Sequence, residues 1–251
     1  MPQYDFRSPR LFVADALESG LEVELDRGQA NYLVNVLRLK PGAQVLVFNG
    51  RDGEWRAGLV LAGKKSVRLA IGEQTRPQPA PGNLHYLFAP LKHARLDYTV
   101  QKAVEMGASR LQPVITRHTQ VQRVNLERMR ANAIEAAEQC GILAIPEIEA
   151  PLALDAFVRG WAPVRLLVFC DEAAEVKDPV AALSTARADA LAPTPVTLLI
   201  GPEGGFAEDE RAALMALPNV LRLALGPRIL RADTAAVAAL TLVQAVLGDW
   251  R

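Results

Sequence analysis

Two textures of apolar and polar positions run along this chain, and one gives way to the other near residue 84. Upstream, Gln44–Phe48 (QVLVF) is a short apolar run behind the turn pair Pro41-Gly42. The segment Asn49–Gly53 (NGRDG) that follows predicts a hairpin turn, because Asn and Gly accept positive φ at little cost. Trp55–Leu61 and Ser66–Ile71 read as further strands, and Arg27–Leu37 carries apolar residues at helical spacing. Together they predict a small β-barrel bearing one helix. Gln74–Asn83 (QTRPQPAPGN) then sets three prolines in alternation. Each removes a backbone donor and drives its predecessor toward extended geometry, so this segment reads as a linker.

From Leu84 onward, continuous apolar runs alternate with helical periodicity. The runs are Leu84–Phe88, Leu111–Ile115, Leu166–Phe169, Val196–Ile200 and Val220–Leu225. Helical spacing is found over Leu96–Met106, Leu126–Gln139, Pro179–Arg187, Glu208–Leu217 and Thr234–Leu247. Alternation of this kind predicts an α/β domain built on a mainly parallel sheet. Strands that are apolar on consecutive residues suit a sheet covered on both faces.

Composition narrows the class. The 251 residues are 50% hydrophobic and 22% charged, ordinary for a globular chain able to bury a core. No apolar run approaches the ~20 residues of a membrane span, and Met1–Arg10 has no apolar segment of a secretory signal. Cys140 and Cys170 lie far apart with no CxxC pair, which argues against a disulfide framework or a zinc site and for a reducing cytoplasm. Net charge is zero, yet its distribution is uneven: residues 85–130 hold 8 Lys and Arg against 3 Asp and Glu, whereas residues 131–251 hold 9 against 16. All three histidines, His85, His93 and His118, fall in the basic stretch. A local basic face can meet phosphates on a neutral protein, because the field is screened within ~10 Å; a solvated helix face would have the same composition.

Two strand ends concentrate candidate chemistry. In Leu198–Phe206 (LLIGPEGGF) a buried strand runs into three glycines, a proline and a carboxylate, and Ala207-Glu208-Asp209-Glu210 then loads the next helix start with negative charge. The segment is neither GxxxxGK[ST] nor GxGxxG, and its acids make it a poor phosphate cradle, so a positively charged ligand fits better. A plain strand-to-helix turn would use the same residues. The second segment, Leu225–Ala235 (LGPRILRADTA), ends another strand in Gly-Pro and opens a helix near Asp233-Thr234, both residue types that cap helices. Arg228 and Arg231 beside so apolar a helix call for a carboxylate, a phosphate or a ligand. No Ser/His/Asp constellation and no metal-ligand spacing appear, which leaves chemistry that aligns bound reactants.

In this order the blocks resemble the RsmE family of 16S ribosomal RNA uridine-N3 methyltransferases, in the SPOUT superfamily. The resemblance rests on the GPEGG loop (Gly201–Gly205) and the Leu225–Ala235 segment. It also rests on Gln101–Gly107 (QKAVEMG), Glu135–Gly141 (EAAEQCG) with Pro146, Arg7–Phe12 (RSPRLF) and Tyr32–Arg38 (YLVNVLR). The chain departs from the family pattern at Asn31, Ile142, Ala232 and Asp233. The resemblance implies a PUA-like RNA-binding barrel over residues 1–73, a Pro-rich linker over 74–83, and a trefoil-knotted SPOUT methyltransferase domain over 84–251. It further implies a cytoplasmic homodimer acting on 16S rRNA of the small ribosomal subunit, with S-adenosylmethionine as cofactor and no metal or membrane. Carried onto this sequence, Ile200, Gly201, Pro202, Glu203, Gly204 and Gly205 line the cofactor pocket with Leu225, Gly226, Pro227, Ile229 and Leu230. The strand end at Phe169-Cys170 supplies a third wall, and Thr234 and Ala235 complete the site. Arg231 becomes the catalytic residue, stabilising charge that develops on the uracil carbonyl oxygens as N3 is methylated. Arg7, Arg10, Arg38, Lys92 and Arg117 become candidates for RNA phosphates.

Overall fold

The computed structural model describes Asp5 and residues 7–62, 66–175, 178–188 and 195–250. The chain divides into two compact units: Met1–Pro81 together with Ile134–Ile145, and Gly82–Ala133 together with Pro146–Arg251.

The first unit is built on a five-stranded sheet of β1 (Arg10–Phe12), β2 (Glu22–Glu24), β3 (Gln44–Phe48), β4 (Glu54–Ala62) and β5 (Ser66–Arg76), in the order β1-β3-β4-β5-β2. β1 runs parallel to β3, and the other pairings are antiparallel. The hairpin between β3 and β4 turns at Asn49–Gly53: Gly50 and Gly53 take φ of 84° and 82°, and Asn49 Oδ1 accepts the backbone N–H groups of Arg51 and Asp52. Helix α1 (Arg27–Asn31) is capped by Asp26 and continues as a π-helical turn over Tyr32–Val36. Leu33 from that turn fills the barrel core with Val45, Val47, Leu59 and Leu69.

This unit departs from the sequence expectation at its end. β5 runs on to Arg76, with Trp55 opposite Gln74 and Glu54 opposite Arg76, so three residues of the expected linker are strand. The unit also takes in the second half of helix α3 (Leu126–Cys140). Arg10 and Arg76 explain this, since their guanidinium groups donate to the carbonyls of Glu138 and Gly141 and supply partners for the end of α3. Both arginines also grip Glu54, which is 2% exposed: Arg10 Nε donates at 2.7 Å, Arg76 Nη2 at 2.5 Å and Thr75 Oγ1 at 2.9 Å. Burial pushes the Glu54 carboxyl up, but the bonds from Arg76 and Arg10 outweigh it and hold the group below its usual range.

The second unit carries a parallel sheet of β6 (Leu84–Phe88), β7 (Arg110–Ile115), β8 (Glu147–Ile148), β10 (Leu166–Cys170), β11 (Val196–Ile200) and β12 (Val220–Leu223), in the order β12-β10-β11-β6-β7-β8. The pair β9 (Leu152–Ala153) runs parallel to the end of β7. Its helices are α2 (His93–Glu105), the first half of α3, α4 (Leu154–Arg159), α5 (Pro179–Ala188), α6 (Glu208–Met215) and α7 (Ala232–Val246). Every residue of β11 is buried, as its unbroken apolar run predicts. Phe169, Leu199, Phe206 and Leu214 form the core beside it. α7 buries Ala236, Ala239, Leu240 and Val243. α4 and the two-residue strands escape sequence prediction because they are too short to show a period.

Candidate active site

The strands β10, β11 and β12 lie side by side and end at the same edge, so the loops that leave them converge. In open parallel sheets this carboxyl edge is where ligands bind. Between the loops is a cavity of about 320 Å³, within the range of small-molecule sites. Its walls are Cys170–Glu172 after β10, Ile200–Phe206 after β11, and Leu223 with Leu225–Leu230 after β12, closed by Ala232 and Ala235 of α7.

The glycine loop owes its shape to a turn and two clamps. Gly205 N–H donates to the Pro202 carbonyl at 2.9 Å and takes φ of 67°, which a side chain rarely adopts. A Cβ on Gly205 would meet Glu172 Oε1 at 2.6 Å. His118 Nδ1 lies 3.0 Å and 3.1 Å from the carbonyls of Gly204 and Gly205. Both are acceptors, so Nδ1 carries the proton. Phe206 anchors the far end of the loop, packing edge-on against Phe169.

Beneath the cavity Asp171 ties three elements together. It receives Arg211 Nε of α6 at 2.6 Å and Arg222 Nη2 of β12 at 2.7 Å, with its side chain fully buried. Burial raises the Asp171 carboxyl, and the bonds from Arg211, the Ala173 backbone and Arg222 more than reverse that, leaving it lowered. Burial likewise pushes the Cys170 thiol up to about 12, aided by the Asp171 charge, so it stays neutral. At the outer rim Arg95 of α2 reaches both signature loops, 3.2 Å from Glu203 and 3.9 Å from Asp233.

Of the expected cofactor residues, Ile200–Gly205, Leu225–Pro227, Ile229, Leu230 and Ala235 line this cavity. Phe169 does not: it is fully buried one layer below, supporting Phe206. Thr234 lines a neighbouring surface groove with Arg95, Tyr98 and Asp233. The cap of α7 also differs from expectation. The N-cap position is Arg231, and Asp233 sits inside the first turn, bonding the Thr234 N–H. Arg231 is exposed and flanked by the lining residues Leu230 and Ala232; its carbonyl accepts the Ala235 N–H, and its guanidinium makes no hydrogen bond or ion pair among the described residues. Sequence reasoning missed Asp171, Glu172, Arg95 and the His118 clamp. The acidic pair directly after the β10 run was a readable signal, whereas Arg95 lies on α2 and His118 in the loop after β7, and neither gives one.

The candidate phosphate contacts separate. Arg7, Arg38 and Lys92 are exposed. Arg38 takes φ of 55°, ending the π-helical turn in a left-handed residue. Arg117 is exposed but already paired with Asp209 at 2.5 Å, and its N–H donates to Glu210. Arg10 is corrected: at 7% exposure and locked onto Glu54, it holds the barrel to α3 and has no face to offer RNA. His85, half-buried, is pushed down to about 4 by burial and by Arg165 and Arg110, so it adds no charge to the basic stretch. Among the described residues no group of acidic, His or Cys side chains is placed to hold a metal. No described helix is long and apolar enough to cross a membrane.

Residues 78–244 match the RNA methyltransferase domain family, and residues 25–72 match the RNA methyltransferase PUA domain. A ribosomal RNA small subunit methyltransferase E from Rickettsia conorii is 30% identical over 94% of both chains. The chain belongs to the ribosomal RNA small subunit methyltransferase E family. A member from Synechocystis is 32% identical over 95% of this chain and 78% of its own. Among solved structures, a Legionella pneumophila protein with bound cofactor SAM superposes with a TM-score of 0.82 at 31% identity, covering 97% of this chain and 99% of its own. A family member from Neisseria gonorrhoeae bound to S-adenosyl methionine gives 0.84 at 26% identity, covering 98% and 100%. The α/β domain with its PUA-like barrel is therefore the family's architecture.

Proposed function

We propose that this protein transfers the methyl group of S-adenosylmethionine to N3 of a uridine in 16S rRNA of the small ribosomal subunit. The observation that carries this is the cavity formed where the two signature loops of a methyltransferase family meet at the sheet's carboxyl edge. Its residues fit that cofactor. Glu172, with no ion pair among the described residues, and Glu203, which Arg95 reaches at 3.2 Å, put carboxylates on the lining beside the cation Arg228, which suits a ligand that carries both positive groups and a carboxylate. Ile229 stands 92% exposed at the cavity, apolar surface that an adenine ring covers on binding. The loop backbones supply donors and acceptors for the ring edge.

When bound, the cofactor supplies an activated methyl group on sulfur. The chain itself has to hold the uracil in line with that group and favour loss of the N3 proton. Arg231, exposed between the lining residues Leu230 and Ala232 and with no side-chain partner among the described residues, takes the role of stabilising negative charge on the flanking carbonyl oxygens. The trefoil knot, the homodimer and a cytoplasmic setting belong to the same reading. The first unit, Met1–Pro81 with Ile134–Ile145, serves as the RNA-binding part and the second, Gly82–Ala133 with Pro146–Arg251, as the catalytic domain, with Arg7, Arg38 and Lys92 meeting phosphates.

Methyl transfer from labelled S-adenosylmethionine to small subunits that lack uridine-N3 methylation tests this, with the product nucleoside identified by mass spectrometry. The expected product is 3-methyluridine, and its absence overturns the reading. Arg231→Ala is expected to keep cofactor affinity and lose about 100-fold or more in turnover. Unchanged turnover removes Arg231 from the chemistry.

A further inference from the structure

The turn that follows β7, Thr116–Thr119, is fastened by its own hydroxyls. Thr116 N–H donates to Thr119 Oγ1 at 2.9 Å, the two hydroxyl oxygens are 2.9 Å apart, and Thr119 N–H returns to the Thr116 carbonyl at 3.2 Å. Both threonines are buried, whereas Arg117 and His118 between them are exposed and reach the segment after β11. Arg117 N–H donates to Glu210 Oε1 at 2.8 Å, and the other oxygen of that carboxylate accepts the Ala207 N–H at the start of α6. His118 Nδ1 shares its proton between the carbonyls of Gly204 and Gly205, at 3.0 Å and 3.1 Å. A Cβ on Gly204 would lie 3.2 Å from His118 Cβ, so a side chain there would crowd the ring.

A trans peptide points its C=O and its N–H in opposite directions. The two carbonyls drawn to His118 therefore turn the N–H groups of Gly205 and Phe206 away from it. The Gly205 N–H closes the loop on the Pro202 carbonyl. The Phe206 N–H has no hydrogen-bond partner among the described residues, although Phe206 is only 4% exposed. A buried backbone donor left without a partner costs free energy that a ligand acceptor recovers. Gly204, Gly205 and Phe206 line the cavity between the signature loops, and His118 lies behind them, outside its lining.

We propose that His118 is a positioning residue for the cofactor: its Nδ1–H holds the Gly204 and Gly205 peptides in the orientation that presents the Phe206 N–H to an acceptor atom of S-adenosylmethionine. This role presupposes the reading of that cavity as the cofactor site. Glycines at 201, 204 and 205 leave the loop with much backbone freedom to lose when a ligand arrives. A clamp already closed in the free protein takes that loss out of the binding step, and affinity rises accordingly. The fastened Thr116–Thr119 turn supplies the rigid mount that such a clamp requires.

Three substitutions in the full-length protein separate the hydrogen bond from the bulk of the ring. His118→Ala removes the donor. His118→Asn keeps it, because the Asn Nδ2 is bonded to Cγ as Nδ1 is. His118→Gln carries its amide one bond further, at the reach of Nε2. Each variant is titrated with S-adenosylmethionine by calorimetry, melted, and assayed for methyl transfer to unmethylated small subunits. His118→Ala and His118→Gln are expected to raise the Kd about 5- to 10-fold, the effect of one hydrogen bond, and His118→Asn to stay within about twofold of wild type. The kinetic loss is expected in KM for the cofactor, with kcat within about twofold. Because His118 is exposed, melting temperatures should move by less than about 2 °C. Wild-type affinity in His118→Ala overturns the proposal. Equal affinity of the Asn and Gln variants also overturns it, and decides the matter should His118→Ala not fold. A fall in kcat with an unchanged Kd places the ring on the RNA side and overturns it too. If the wild-type protein binds no S-adenosylmethionine, the reading of the cavity has itself failed, and this role falls with it.

Discussion

Substitution of Gly205 by alanine tests whether the glycine loop is held in its observed shape by backbone conformation. Gly205 has φ of 67°, and an added Cβ meets Glu172 Oε1 at 2.6 Å. A non-glycine residue in the left-handed region costs about 1–2 kcal/mol. The Glu172 contact adds little to that cost, because its carboxylate is the end of a flexible chain, but it forces Glu172 off the cavity wall. The cost can surface in two ways. If the loop keeps its shape, the protein loses about 1–2 kcal/mol of stability, a fall in melting temperature of roughly 2–8 °C for a chain of this size. If the loop relaxes to negative φ, stability recovers and the cost reappears on ligand binding, as a Kd for S-adenosylmethionine raised about 5- to 30-fold. Two controls separate strain from crowding. Gly226→Ala carries the strain alone, with φ of 101° and no atom within 4 Å of the new Cβ. Gly204→Ala carries only a 3.2 Å contact with His118 Cβ. Chemical denaturation and calorimetric titration of the three variants read both costs. A Gly205→Ala protein with wild-type stability and wild-type cofactor affinity would refute the argument that positive φ shapes this loop.

Three further outcomes are expected. Ile229→Ser removes apolar surface that a bound adenine covers and should weaken S-adenosylmethionine by about tenfold in calorimetry, out of the 1.5–3 kcal/mol that full burial of such a side chain is worth; the unliganded protein, where Ile229 is 92% exposed, should keep its melting temperature. Glu54→Gln leaves the buried Arg10 and the partly buried Arg76 guanidinium groups without this carboxylate and should cost about 3–5 kcal/mol in urea denaturation. Because the folded Glu54 carboxyl is lowered from 4.5, its contribution is present above that pH and lost as pH falls below it, so wild type and variant should converge in acid. Cys170, with its thiol near 12, should resist a thiol-specific disulfide reagent at pH 8 in the native protein, while exposed Cys140 reacts; both should react after denaturation.

The sequence by itself determined the elements and the two loops. Continuous apolar runs located β6, β7, β10, β11 and β12 to within a residue or two, because a strand buried on both faces has no polar face to break its run. The Gly-Pro segments after β11 and β12 marked the cavity walls, because only a few residue types let a chain leave a buried strand so sharply. What the tertiary structure decided is which distant side chains meet those loops. Strand order is set by long-range pairing that no local pattern encodes, and that order brings β10 between β11 and β12 and carries Asp171 and Glu172 into the site. Arg10 shows the same limit from the other side. As a residue type it suits RNA phosphate, and only the fold shows that Glu54, 44 positions away, has already claimed it. A charged residue's partner is fixed by geometry across the sheet, and one-dimensional spacing does not contain it.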